Sequence, residues 1–347
     1  MTLPNPEFRQ PVSVVKPKLL VVELWGLGDL AIATPFLRAA SEKFDVTLLA
    51  KPFALDLQAH FWSAVRVIPF TAPWTAFKQK YRFFSWPWLD IFRLGKLRAE
   101  RFQVGLSARW DPRDHILLRL VRARKRLGFP RVGSQVFLTQ PLARPDPLAH
   151  RYENWRVLAQ ALELALSEWE PPQVPQGPRG DEVLVHTGAG QPVRVWPLDR
   201  YRNLVAWLRE RGYRVQVACD PDQRNWWLAT GEPSLATPQT VSSLLALVER
   251  AAVFIGNDSG PGHLAALCGV PTFTLFGPQL PEWFAPLHSA AQWLEGKACP
   301  YKPCSDYCRF PVPYCEVNSR AEEVQARVKA FLERTCLCPN TPIIKTL

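Results

Sequence analysis

The 347-residue chain contains no apolar run near the roughly 20 residues that a membrane-spanning helix needs. Met1 to Pro17 is polar and proline-containing and lacks the apolar centre of a secretory signal, so a cytoplasmic protein is expected. No internal repeat of solenoid period stands out. A hydrophobic fraction of 47% against 21% charged residues excludes a disordered or fibrous chain. Acidic residues are scarce in one place only. Residues 1–150 hold 23 Lys and Arg against 11 Asp and Glu, while the remaining 19 basic and 20 acidic side chains balance. A basic field confined to one half attracts a polyanion, whether nucleic acid, anionic lipid or a phosphorylated acceptor.

What is abundant is proline, at 34 residues, and tryptophan, at 14. Leu19 to Leu24 reads as a strand, Trp25 to Gly28 as a tight turn, and Asp29 onward as a helix ending near Ala40. Val46 to Leu49 follows as the next strand, giving the βαβ opening of a doubly wound sheet. Tyr152 to Leu166 has helical apolar spacing. The segment Pro171 to Gly180 can continue neither helix nor strand and marks a domain boundary. Beyond it, Val183–Val185, Val215–Cys219, Ala252–Ile255 and Pro271–Phe276 read as strands. Between them lie a helix with Tyr201, Leu204, Val205 and Leu208 on one face, a helix capped by Ser242, and another over His263–Cys268. The expected α/β architecture is therefore two Rossmann-like doubly wound domains facing a central cleft, residues 1–172 and 181–333, with a tail over 334–347.

The chemistry concentrates at Asp258-Ser259-Gly260-Pro261-Gly262-His263, where a buried strand empties into a helix start. Open N–H groups and the helix dipole favour a phosphate there, and the glycines permit close backbone approach. Asp258 would accept bonds from sugar hydroxyls. Taken alone, the same residues would read as an ordinary helix cap beside a partly buried histidine.

Other motifs appear in a fixed order around it: Gly26-Leu-Gly28-Asp29 followed by Thr34-Pro35, then Lys96 to Phe102, Arg126-Leu-Gly-Phe129, and a loop from His186 to Pro197 ending Arg194-Val-Trp196-Pro197. Together with Asp258 to His263 this pattern resembles glycosyltransferase family 9, the ADP-heptose:lipopolysaccharide heptosyltransferase-like family, over most of residues 18–333. The resemblance implies a GT-B fold and inverting, metal-independent transfer of a sugar, with ADP-heptose as the donor. It places the acceptor, a lipopolysaccharide-core or related glycolipid, on the basic N-terminal half. It also implies that Asp29 is the catalytic base, although an Asp at a helix start is equally a good cap. Thr187, Gly188, Arg194, Asp258, Ser259, Gly260 and His263 are the residues it places on the nucleotide sugar. Arg194 stands where family members have a phosphate-binding lysine, and Asp220 or Asp222 stands near the expected ribose-binding acid. A GT-B nucleotide-sugar epimerase and a non-catalytic nucleotide-sugar-binding protein are the alternatives.

Two further features stand outside that pattern. Cys299, Cys304, Cys308 and Cys315 form a cluster that raises a structural metal or Fe–S site, weighed against reduced thiols in a loop. Trp74 to Arg101 interleaves aromatic and cationic residues, as peripheral enzymes do where they touch the inner face of an anionic membrane; a partly buried lid or core helix is an equal rival reading. No nucleic-acid-binding motif accompanies it, so no specific nucleic-acid partner is expected.

Overall fold

The computed structural model describes residues 15–75, 84, 86–166, 180–304, 307–317, 319–335 and 337. The proposed boundary at Pro171–Gly180 and the tail from 338 onward lie outside these residues, apart from Gly180 itself.

In the first half, β1 (Lys18–Val22), β2 (Asp45–Ala50) and β3 (Arg66–Pro69) alternate with α1 (Leu27–Lys43) and α2 (Ala54–Phe61). Then come α3 (Trp88–Arg93), β4 (Val104–Leu106), α4 (Pro112–Leu120), β5 (Lys125–Gly128), β6 (Gln140–Pro141) and α5 (Tyr152–Ala161). The second half runs β7 (Glu182–His186), α6 (Leu198–Glu210), β8 (Arg214–Ala218), α7 (Arg224–Ala229), β9 (Leu235–Ala236) and α8 (Val241–Arg250). It continues with β10 (Ala251–Asn257), α9 (Gly260–Leu267), β11 (Thr272–Phe276), α10 (Pro281–Phe284), β12 (Gln292–Glu295), α11 (Tyr314–Val317) and α12 (Ala321–Arg334).

Each half is a parallel six-stranded sheet, ordered β3-β2-β1-β4-β5-β6 and β12-β11-β10-β7-β8-β9. Both orders reverse direction once, between β1 and β4 and between β7 and β10. At such a switch point the two flanking loops diverge and leave a crevice at the strands' carboxyl ends. The expected pair of doubly wound units is present. All four crevice-forming strands are apolar on both faces, with Leu19 to Val22 and Val253 to Ile255 at 1% exposure or less.

Several local expectations change. The α5 helix stops at Ala161 rather than Leu166. The cap of α8 is Thr240, whose hydroxyl accepts from the Ser243 amide, while the Ser242 amide donates across to Asp56 of α2 at 3.2 Å. Gly212 ends α6 in the left-handed region at φ 83°, as its position suggested.

The two sheets share an apolar seam. Helix α1 packs against α9 and α2 against α8, and Ala31, Leu37 and Leu57 join Leu244, Val248, Leu264 and Ala265 in one buried cluster. Phe36, wholly buried, lies 5.0 Å from the Trp155 ring and ties α1 to α5. Replacing a ring of this size leaves a void that its neighbours cannot close. Phe36→Ala is expected to lower unfolding free energy by about 3–5 kcal/mol, measured as the shift of the urea transition at unchanged m-value.

Candidate active site

Asp29 sits in the first turn of α1, immediately beyond the end of β1. Its Oδ2 accepts from the Gly26 amide at 2.9 Å, so it does cap its own helix. Its Oδ1 is held by the Arg109 guanidinium. Arg109 follows β4, on the other side of the N-terminal switch point, and lies 5.1 Å over the Trp25 ring. Having two oxygens lets one aspartate serve both as cap and as ion-pair partner. Behind it, the Ser107 hydroxyl accepts from the Arg109 amide and donates to Asp114 at 2.9 Å. Burial pushes the Asp114 carboxyl up to about 7, with Asp111 adding to the shift.

Glu23 lines the same cavity as Asp29, Arg109 and Arg151. It is buried and accepts from the Trp25 amide at 3.2 Å. Burial pushes its carboxyl up to about 8; Asp29 and Asp114 add to this and Arg109 opposes it. A second, larger cavity of about 460 Å3 opens beside it, lined by Trp25, Arg109, Trp110, Arg113 and Arg131. Cations and indole rings side by side suit an anionic sugar.

On the opposite sheet, β10 ends in Asn257 and Asp258. Asn257 is fully buried and organises the loop: its Oδ1 accepts from the Trp196 amide (3.0 Å) and the Tyr201 hydroxyl (2.8 Å), and its Nδ2 donates to the carbonyls of Thr187 and Gly188. Asp258 is buried and receives Arg194 Nη1 at 3.3 Å. Burial raises its carboxyl to about 6, while Arg194 and Lys302 pull it down and Asp29 pushes it up from across the cleft. Ser259 occupies the N-cap of α9, but its hydroxyl turns back to the Asn257 carbonyl at 3.3 Å and leaves the first-turn amides without a side-chain cap.

The helix starts of α1 and α9 meet head to head. A Cβ at Gly260 would fall 2.8 Å from Leu27 Cβ and 3.2 Å from the Gly28 amide nitrogen; one at Gly28 would fall 2.7 Å from the His263 ring. Two positive dipole ends from opposite domains therefore face one crevice, a setting for a polyanionic group. His263 is buried there, and burial lowers its imidazole to about 4, with His150 contributing and Asp29 opposing. It is a neutral ring at physiological pH.

Thus Asp29, Arg194, Asp258, Ser259, Gly260 and His263 are brought together. Thr187 is given another task. Its hydroxyl donates to Gln223 at 2.8 Å and accepts from the Trp227 indole at 3.1 Å, so it anchors the loop and has no group turned to a ligand. Gly188 makes room for Asp220, whose Cγ would lie 2.2 Å from a Cβ there. Sequence reading missed Arg109, Glu23, Asn257 and Lys302. Asn257 and Glu23, polar residues at the ends of apolar strands, had a local signal; Arg109 and Lys302 had none.

The structure lends the metal reading of the cysteines no support. Among the described residues no three His, Cys, Asp or Glu side chains gather to hold an ion. The Cys304 thiol donates to the Tyr301 carbonyl at 3.3 Å and that of Cys308 to the Val312 carbonyl at 4.0 Å. Cys315 is buried within α11, where burial raises its thiol to about 12. Burial raises the Cys304 thiol, and the neighbouring Cys308 and Cys299 add to the shift, so these three thiols lie near one another.

The family signature "Glycosyltransferase family 9 (heptosyltransferase)" matches residues 95–311. Lipopolysaccharide heptosyltransferase 3 of Escherichia coli strain K12 is 33% identical over 110 residues, which is 29% of this chain and 32% of that protein. Lipopolysaccharide heptosyltransferase 1 of Pseudomonas aeruginosa is 31% identical over 186 residues, 48% of this chain and 52% of that one. The chain thus spans between a third and a half of the length of these curated relatives. Among solved structures, Escherichia coli ADP-heptose LPS heptosyltransferase II superposes with a TM-score of 0.70 at 17% identity, covering 91% of this chain and 99% of that one. Escherichia coli heptosyltransferase WaaC with ADP gives 0.71 at 17%, covering 90% and 99%. At that identity the likeness is one of fold, the GT-B pairing of two α/β domains.

Glu23 supplies a pH signature. Because its carboxyl titrates near 8 when folded and near 4.5 ordinarily, the folded chain holds a proton in between that the unfolded chain has released. Its contribution to stability is therefore complete below about 4.5 and lost as pH rises through about 8. Glu23→Gln is expected to flatten this decline; denaturation midpoints over that range that fall as steeply in the variant would refute the assignment.

Proposed function

The chain belongs to glycosyltransferase family 9, the heptosyltransferases, and on that premise we propose that it moves a sugar, heptose carried by ADP, onto a lipopolysaccharide-core or related glycolipid acceptor with inversion at the anomeric carbon. The observation that carries the reading is the meeting of the α1 and α9 helix starts, with Asp29 on one side and Asp258 and Arg194 on the other.

The donor diphosphate lies against the open amides of α9 and the Arg194 guanidinium, which take up the charge that develops as the anomeric bond to phosphate breaks. These fixed cations and dipoles do what a divalent ion does elsewhere, so transfer needs no metal. Asp258 accepts hydroxyls of the sugar, and neutral His263 closes the pocket behind it. The acceptor enters from the basic side, through the cavity of Trp25, Arg109, Trp110 and Arg113. Its anionic groups draw Arg109 from Asp29. The freed carboxylate oxygen takes the proton of the acceptor hydroxyl as that oxygen attacks the anomeric carbon from the face opposite the diphosphate. The products are the glycoside, ADP and a protonated Asp29. A glycolipid acceptor places the work at the inner face of the cytoplasmic membrane.

Thermal-shift measurements with ADP, UDP, GDP and CMP sugars test the donor: stabilisation by ADP-heptose is expected, and a response confined to UDP sugars would overturn the assignment. Asp29→Asn should reduce kcat by about 10²–10⁴-fold with little change in donor affinity. Wild-type transfer should be unaffected by EDTA, and the product anomer, read by NMR coupling constants, should be inverted.

A further inference from the structure

An aromatic ladder runs from the acceptor cavity to the protein surface. Arg113, which lines that cavity, lies 5.7 Å from the Trp74 ring. Trp74 packs in a tilted pair with Trp86 at 5.5 Å, Trp86 with Trp88 at 5.4 Å, and Trp88 with Phe92 at 6.4 Å. Exposure rises along it: Trp74 is 3% exposed, Trp88 42% and Phe92 65%. At the outer end, α3 also exposes Leu89, at 73%, and Phe84, four residues before the helix, is fully exposed. Ile91 and Leu94 are buried on the opposite side and fix α3 to the core. The six-residue helix is therefore firmly based yet turns its bulkiest apolar side chains to water, an arrangement that costs free energy unless something covers them.

Charge identifies what covers them. Asp90, the acid on this helix, is neutralised by Arg93 at 2.7 Å. Lys96, Arg98 and Arg101 follow on the exposed side, and Arg98 donates to the Leu120 carbonyl, holding this stretch against the end of α4, where Arg119 and Arg122 are also exposed. Rings and aliphatic chains at the level of lipid headgroups, rimmed by cations, match an anionic bilayer. Phe77 to Phe83 of the aromatic-basic stretch lie outside the described residues.

We infer that the face formed by Phe84, Trp88, Leu89 and Phe92 is an interfacial anchor that seats in an anionic membrane, braced through Trp86 and buried Trp74 against Arg113 at the acceptor cavity. The acceptor's part in this rests on the glycolipid reading above; the anchor does not. Seating on this side keeps a membrane-held acceptor on the side of the protein where Arg113 lines the cavity. Phosphatidylglycerol serves as the probe lipid.

The test is flotation of the full chain with vesicles of phosphatidylcholine alone and of phosphatidylcholine mixed with phosphatidylglycerol. The wild type should float with the mixed vesicles and stay behind with the neutral ones. Leu89→Ser with Phe92→Ser should weaken partitioning about tenfold or more, these side chains being exposed and outside the core. Each of Lys96→Gln and Arg101→Gln should weaken it about fivefold. Transfer to a deacylated, water-soluble acceptor should be the same in all these variants as in the wild type. Equal flotation on neutral vesicles, or undiminished flotation of the double serine variant, would overturn the anchor. A dimer in size-exclusion chromatography that the double variant dissolves would assign the face to a second copy and overturn it as well. Flotation as expected without transfer to any sugar acceptor would instead refute the proposed reaction and leave the anchor standing.

Discussion

The contact between the starts of α1 and α9 has no room for a side chain. Gly28 faces the His263 ring and Gly260 faces Leu27 and the Gly28 amide, each at a separation that a Cβ would close below ordinary contact. Because the helices begin at their own switch points, bringing the two starts together also brings in whatever stands on the neighbouring strand ends. Arg109 arrives from β4, and the His186–Pro197 loop with Arg194 arrives from β7. The apolar seam of α1 with α9 and α2 with α8 holds the meeting in place. Loss of that fit would separate Asp29 from Asp258 without altering either residue's own domain.

The electrostatics follow from the same closeness. Asp29 and Asp258 each have a guanidinium partner within their own half, Arg109 and Arg194. Asp258 and His263 also feel the other domain: Asp29 raises the Asp258 carboxyl and opposes the lowering of the His263 imidazole. Burial keeps Glu23 protonated and His263 neutral, so neither adds charge to a crevice already balanced between two acids and two arginines. A diphosphate entering such a site meets open backbone amides and cations.

The parts of the site that could be read from sequence are those written in consecutive residues. Gly26 to Asp29 and Asp258 to His263 are each a strand end, a turn and a helix start, and local geometry alone places their groups. Arg109 was hidden because β4 is three residues long and its importance comes from lying next to β1 in the sheet order, which no short window reveals. Thr187 misled for the converse reason. A threonine after a strand reads as a ligand for phosphate, but Gln223 and Trp227, distant in sequence, occupy its hydroxyl.

Asp29 rests with a donor on each of its oxygens, the Gly26 amide on one and Arg109 on the other. A carboxylate so occupied is a poor proton acceptor for a stray water molecule, even one lying beside a bound nucleotide sugar. If Asp29 is the base, idle hydrolysis of the activated donor is restrained by the resting ion pair, and only a molecule whose own negative charge competes for Arg109 releases it. Fidelity toward the acceptor would then depend on electrostatic competition for one arginine as well as on the shape of the pocket.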